Sequence, residues 1–438
     1  MIRSPLPALR AGALGLCAAV ALAGAAPSPQ PRYPQAFATD LGVTKLIGEA
    51  DADAPVAGVQ VFVAAGLDRQ APNQSGISAL VAECLERTPV DGMPLRDAIA
   101  AEGGSISYTV DGRSVHYYLE SSPGRLAAVV ALFGRALAAP DFSPAVLAPA
   151  RSSLTKHVAE LEDNALSVGI QMFRRSYYMT GAGMPAFGTA ATLAQLGPDD
   201  ARAFYRATYR RQAVSASAVG KLDPGLGDAL RTLANALPDG PVSPVVERAK
   251  TIPPEAPRIV AHRDVAAPWV VVGYAAPAPN SKDFGAMLLL ESLLSGAFDR
   301  SSTTTLGFVE KSVGAFYLYD STPASLVVYV NGTETDPTLA LREVLVVSKS
   351  LSLKPLGAEA LRHFKAEAEG QFLTDSVSFS DRSYLLGTFA AQGLGPDSIN
   401  TALAALENTS AADVQRVAKK YLQRYIVALV LPRQSQSQ

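Results

Sequence analysis

Histidine, cysteine and tryptophan are scarce in this chain: four, two and one among 438 residues. Four histidines leave little material for a metal centre, because zinc is held mostly by imidazole, thiolate and carboxylate. Charge of one sign is lacking too. The 38 basic and 40 acidic residues nearly cancel, at net −2, and together make up 18 % of the chain. This interspersed balance excludes the basic footprint of a nucleic-acid binder. No later hydrophobic run reaches the length of a membrane-spanning helix, so no transmembrane segment is expected in the mature chain. At 48 % apolar the chain is not disordered either, and its length exceeds what one core usually supports. Two or more domains follow.

The first residues read as a targeting segment. Arg3 and Arg10 precede an apolar run from Ala11 to Ala23, and Ala23-Gly24-Ala25 fits a small-residue cleavage site. A secretory signal peptide over 1–25 is expected, and with it a periplasmic or secreted protein. Its removal takes away two of the 38 basic residues and no acid, which leaves net −4. Cys17 goes as well, so Cys84 is left without an intramolecular disulfide partner. An exported chain of this size must then hold together by its core alone.

One connector stands out. Six prolines fall between Pro238 and Pro257, with Asp239-Gly240 and charged residues interleaved. Proline at that density opposes helix and ladder alike, so 237–257 reads as an extended linker. It divides the chain into 26–236 and 258–438, and the two parts resemble each other. Each opens on a β-rich stretch, Val56–Ala65 and Trp269–Tyr274. Each closes on an Asp-led helix with a late tyrosine, then an apolar strand: Asp200 to Tyr209 before Ala213–Val219, and Asp413 to Tyr421 before Tyr425–Leu431. A duplicated α+β unit is the economical reading. Between these ends, Ile106, Tyr108 and Val110 alternate, as do Val115, Tyr117 and Leu119. Asp111-Gly112 between them is a hairpin turn signal. Helices are expected over Arg125–Ala139, Ser143–Glu162, Thr338–Ser350 and Gly357–Thr374, and a strand over Ser325–Val330.

Ser75-Gly76 opens a helical run in which Ile77, Leu80, Val81, Cys84 and Leu85 form one buried stripe. Ser78, Ala79, Ala82, Glu83 and Glu86 lie on the other side. Here the chain resembles the insulinase/pitrilysin-type metallopeptidases, whose relatives include the mitochondrial processing peptidases and the respiratory-complex core proteins. Val59 to Leu85, with Ala65-Gly66 and Gly76, is similar to the opening of that family. Gly103-Gly104-Ser105-Ile106-Ser107 with Val115 to Tyr118 resembles its G-G-x-x-N hairpin. Glu162-Asp163-Asn164, Phe187-Gly188-Thr189, Leu294 to Phe298, Glu310-Lys311 and Ser410 to Tyr421 carry the likeness across nearly the whole mature chain. The resemblance implies two ferredoxin-like α+β domains, each an antiparallel sheet with helices on one face, related by duplication and forming half of a clam shell.

It also implies chemistry whose residues are missing. Active members carry H-x-x-E-H on this helix, with the glutamate as base for a zinc-bound water. In register, the first His becomes Ala79, the Glu becomes Ala82 and the second His becomes Glu83, while the third ligand, a Glu, falls at His157. No cofactor is therefore expected, although the family uses zinc. Glu83 and His157 have two readings, a swapped remnant of a metal site or a cavity-lining glutamate hydrogen-bonded to a histidine. The family's oxyanion Arg and Tyr fall at Val309 and Phe316, and Tyr317 is one residue off, on the other face of a strand. Ser153-Leu154-Thr155-Lys156 is an S-x-x-K, but no K-[ST]-G accompanies it.

What remains is binding. In the family a substrate peptide adds as a strand to an exposed sheet edge, which here is Ser105–Val110, with Ser105, Ser107 and Tyr108 as contact residues and Ser107 in place of the family's Asn. The expected function is a non-catalytic subunit of a periplasmic zinc-peptidase assembly. It would hold extended peptides without cutting them and pair with an active homologue or with itself. A divergent metallopeptidase with residual activity and a stand-alone envelope scaffold are the alternatives.

Overall fold

Period-two runs of β-branched and aromatic residues build two sheets, and longer amphipathic stretches build the helices that cover them. The computed structural model describes residues 34–42, 44–241, 249–252, 257–305, 311–321, 323–332 and 336–433. The signal peptide over 1–25, Val309 and much of the 237–257 linker lie outside the described residues.

The first sheet contains β1 (Phe37–Asp40), β2 (Lys45–Ala50), β3 (Ala57–Val63), β6 (Gly104–Val110), β7 (Val115–Ser121) and β8 (Val214–Gly220). Two short strands, β4 (Pro89–Val90) and β5 (Met93–Pro94), pair separately. The second sheet contains β9 (Arg258–Arg263), β10 (Trp269–Ala275), β11 (Lys311–Leu318), β12 (Ser325–Gly332) and β13 (Tyr425–Pro432). The strand orders are β1-β2-β8-β3-β7-β6 and β11-β12-β10-β13-β9. Laid side by side, β2-β8-β3-β7-β6 and β9-β13-β10-β12-β11 are the same path. In each sheet one pair is parallel, β2 with β8 and β9 with β13, and the other pairs are antiparallel. Five strands with the same order and the same single parallel pair are the signature of an internal duplication. The α+β architecture that the resemblance implied is therefore present.

One face of the first sheet packs on helices of its own half, with Val59, Val61 and Val63 buried against Ile77, Leu80, Val129 and Phe133 in one core. The opposite face receives a helix from the other half, Phe379–Ala391, which lies over β3 and β8. The exchange is reciprocal: Ala165–Tyr177, from the first half, lies over β10 and β13 of the second sheet. Its Phe173 and Tyr177 share a core with Val271, Val327 and Ile426. A glycine admits an aromatic ring at each crossing. A Cβ on Gly273 would lie 2.1 Å from Phe173 Cδ2, and one on Gly387 would lie 2.1 Å from Phe62 Cε2, both closer than real Cβ atoms come. The halves are thus joined by traded helices as well as by the linker, whose described part buries Ile252 and bridges Ala249 to Tyr178.

The two duplicated hairpin turns also meet. A Cβ on Gly112, in the β6–β7 turn, would lie 2.9 Å from Ser321 Oγ in the β11–β12 turn. Asp111 closes its own turn, its carboxylate accepting from the backbone N–H groups of Arg113 and Ser114 and from the Ser114 hydroxyl. Beside it, His116 approaches Gln60 Oε1 at 3.3 Å through Nδ1 and Asp111 Oδ2 at 3.9 Å through Nε2, and it packs on Tyr384. Burial holds His116 down to about 4, with the Asp320 carboxylate opposing, while burial pushes Asp111 and Asp320 up. An unfolded histidine takes a proton near pH 6.5, whereas this one resists until about 4. Its share of stability is therefore complete above pH 6.5 and is lost as pH falls toward 4, reaching about 3 kcal/mol. Denaturant melts of wild type and His116→Gln between pH 7 and 4 check this. The wild type should lose more stability over that interval, and parallel curves would refute it.

Candidate functional site: an edge strand beside a degenerate metal helix

The helix Ile77–Arg87 begins at Gly76, whose φ of +92° is a left-handed conformation that favours glycine. There is a second reason for glycine here, because an added Cβ would lie 2.8 Å from both Phe187 O and Gly188 Cα. Gln70 Oε1 caps the helix by accepting from the N–H groups of Gly76 and Ser78. Those contacts explain why Gly76 and Phe187-Gly188-Thr189 recur in one pattern, since they are neighbours in space.

The helix is buried on all sides rather than on one stripe, with every side chain from Ile77 to Glu86 inside. Ala79 and Ala82, at the positions of a zinc ligand and a general base, are fully enclosed in the main core. Cys84 is buried in the same core, which pushes its thiol up to about 12 and makes it a packing residue rather than a nucleophile.

Glu83 does not face a histidine. One carboxylate oxygen pairs with Arg87, one turn on, and lies 3.8 Å from Arg96; the other accepts from the Tyr108 hydroxyl at 2.8 Å. Arg96 also donates to Glu86 at 2.8 Å. Burial, and next the Glu83 charge, push Glu86 up to about 7, with Arg96 opposing. The Tyr108 phenol is likewise held above its ordinary range by burial and then by the Glu83 charge. His157, on the helix Pro144–Asp163, points elsewhere. Its Nδ1 lies 3.6 Å from Glu160, and its ring meets Phe187 edge-on at 4.4 Å. The expected Glu83–His157 pair is therefore not formed, either as a remnant metal site or as a hydrogen bond. Cations and a phenol, not an imidazole, satisfy the glutamate. Among the described residues no three His, Cys, Asp or Glu side chains converge as a metal would need. Two alanines in a closed core and a glutamate already neutralised by guanidinium groups do not fit zinc.

Arg87, Arg96 and Glu86 complete this network without standing out as a group in the sequence. Glu83 and Arg87 at i,i+4 were a readable signal, whereas Arg96 comes from the next helix and left none. On the oxyanion side, Phe316 is exposed and stacks on Tyr329 at 5.4 Å, while Tyr317 is buried with its hydroxyl bound to Pro277 O. The one-residue offset places them on opposite faces, as expected for a strand.

Among the described residues the edge strand β6 pairs only with β7, which leaves its outer edge without a strand neighbour there. Side chains alternate along it. Ser105, Ser107 and Thr109 are exposed, whereas Ile106 and Val110 pack on the core and Tyr108 reaches Glu83. Tyr108 is thus tied to the motif helix, and the outward-facing residues of the edge are Ser105, Ser107 and Thr109. Ser107 and Thr109 border a cavity of about 290 Å³ with Gln60, His116, Tyr118 and Tyr384, where the Phe379–Ala391 helix stops short of the edge. A second cavity, of about 430 Å³, begins at Val110. An open edge flanked by two hollows can accept an extended chain through backbone hydrogen bonds and take some of its side chains.

Residues 195–346 match the family model described as the peptidase M16 inactive domain. Solved structures show the same fold at low identity. A protease from Helicobacter pylori superposes with a TM-score of 0.82 at 15 % identity, covering 91 % of this chain and all of that one. The peptidase M16 inactive domain from Pseudomonas fluorescens follows with 0.79 and 16 %, covering 92 % and 99 %. A chain of complex III2 from Candida albicans gives 0.75 and 12 %, covering 90 % and 95 %. No curated protein sequence matches. Residues 195–346 thus resemble the peptidase M16 inactive domain, and the described residues share the fold of these solved M16-type structures.

Proposed function

We propose that this protein is a non-catalytic M16-type subunit that is exported and holds an extended peptide along β6 without cleaving it. The carrying observation is the fate of the motif helix. Where a zinc peptidase needs ligand, base and ligand, this helix has two alanines sealed in the core and a glutamate consumed by Arg87, Arg96 and Tyr108. The backbone edge that would hold a peptide remains open beside it. A shell that keeps the edge and fills the reaction centre favours binding over turnover. Among the described residues no helix is long and apolar enough to cross a membrane. Pairing with an active homologue, or with a second copy, is part of the same proposal and accords with the lack of a working centre in this chain.

The test is an anisotropy titration with labelled unstructured peptides, followed by mass analysis of the same samples after incubation with equimolar zinc. Binding with the peptide intact is expected. Chelator-sensitive cleavage would establish a divergent peptidase instead, and no binding would favour a scaffold.

A further inference from the structure

The cavity that opens at the Val110 end of β6 has a chemistry of its own. Its walls are apolar, formed by Val158 and Leu161 of the Pro144–Asp163 helix, Ile170 of the exchanged helix, and Phe187. Three arginines, Arg174, Arg175 and Arg263, stand around it against one carboxylate, Glu162. Arg174 is spoken for. It donates Nε and Nη2 to Ala182 O at 3.2 and 3.1 Å, lies 5.7 Å over the Tyr178 ring, and opposes the buried Asp111 and Asp320. Among the described residues Arg263 donates only to the neighbouring His262 carbonyl, and neither Arg263 nor Arg175 has an acidic partner there. These two guanidinium groups come from the two halves of the chain, one from the exchanged helix and one from β9. An apolar hollow with two uncommitted cations at its rim complements an apolar side chain next to a carboxylate.

We propose that this cavity selects, within the extended peptide held along β6, a large apolar residue adjacent to an aspartate or glutamate. The inference rests on the peptide-holding reading and adds a specificity to it. The apolar residue fills the space lined by Val158, Leu161 and Phe187, and the acidic neighbour pairs with Arg175 and Arg263 at the mouth. A basic residue in that place meets like charge and is rejected.

The test uses acetylated, amidated twelve-residue peptides that differ at one position, Leu-Glu, Leu-Gln or Leu-Lys, together with a Leu-Gln peptide ending in a free carboxylate. Each is titrated by anisotropy against the full exported chain at low and at physiological salt. Leu-Glu should bind about tenfold more tightly than Leu-Lys at low salt, with the gap narrowing as salt screens the rim. The double variant Arg175→Glu/Arg263→Glu, verified as folded by its melting profile, should reverse the order. Equal affinities for all peptides, or a preference that survives the double reversal, would overturn the inference and leave the peptide-holding reading standing. A gain confined to the free-carboxylate peptide would overturn it in favour of chain-end capture. Absence of binding by every peptide would overturn both.

Discussion

Gly273→Val is expected to lower the unfolding free energy by about 3 kcal/mol, the upper end of what overpacking a well-filled core costs. Gly273 on β10 is where the Phe173 ring of the exchanged helix rests, so even a single Cβ would intrude on it. The ring cannot step aside, because it stacks on Tyr177 at 5.3 Å and is itself fully buried. Backbone retreat is blocked too, since a Cβ on Gly169, one turn back along that helix, would lie 2.6 Å from Val271. The mirror-image site predicts the same sign for Gly387→Val against Phe62. Phe173→Leu in the Gly273→Val background should recover part of the loss, the signature of direct coupling in a double-mutant cycle. Urea melts of the single and double variants read this directly. A Gly273→Val change under about 0.5 kcal/mol would mean that the exchanged helix does not seat as described.

The second large effect is at Glu83. Glu83→Ala strands Arg87 in a largely buried position and removes the acceptor of the Tyr108 hydroxyl, so a loss of about 3–5 kcal/mol is expected. Tyr108→Phe, which removes a single hydrogen bond to a charged group, should cost about 1.5–3 kcal/mol. The contrast matters for function. If Glu83 serves as an ion-pair anchor, chelator leaves the wild-type melting temperature unchanged and added zinc does not raise it. Were Glu83 a metal ligand, chelator would lower the wild-type melting temperature, and Glu83→Ala would abolish that sensitivity.

Much of the architecture could be read in the chain because it is written in local periodicity. The strand at Val56–Ala65, the hairpin around Asp111-Gly112, and the closing helix and strand of each half depend on neighbours in sequence, and the structure places them within a residue or two. The duplicated topology follows from that repeated order. The opposed faces of Phe316 and Tyr317 were legible for the same reason. The helix exchange was not. The Ala165–Tyr177 stretch shows that it buries one side, but periodicity does not say which sheet it buries that side against. The motif helix misled in a similar way. Ser78, Ala79 and Ala82 read as an open face because they are small or polar, yet small residues are also what lets a helix be packed all round. Register alone points His157 toward Glu83, yet one turn from Glu160 it meets the nearer acid. Arg96 and Tyr108 join Glu83 from 13 and 25 residues away, a distance at which single-sequence patterns carry no pairing information.

In the proposed function β6 holds a peptide while the reaction centre is filled. Hydrogen-exchange mass spectrometry of the chain with a saturating unstructured peptide and equimolar zinc tests both parts in one sample. Slowed exchange within Gly104–Val110, with the peptide recovered at full mass, is the predicted result. Chelator-sensitive fragments of the peptide, or unchanged exchange along β6 with the peptide bound, would contradict it.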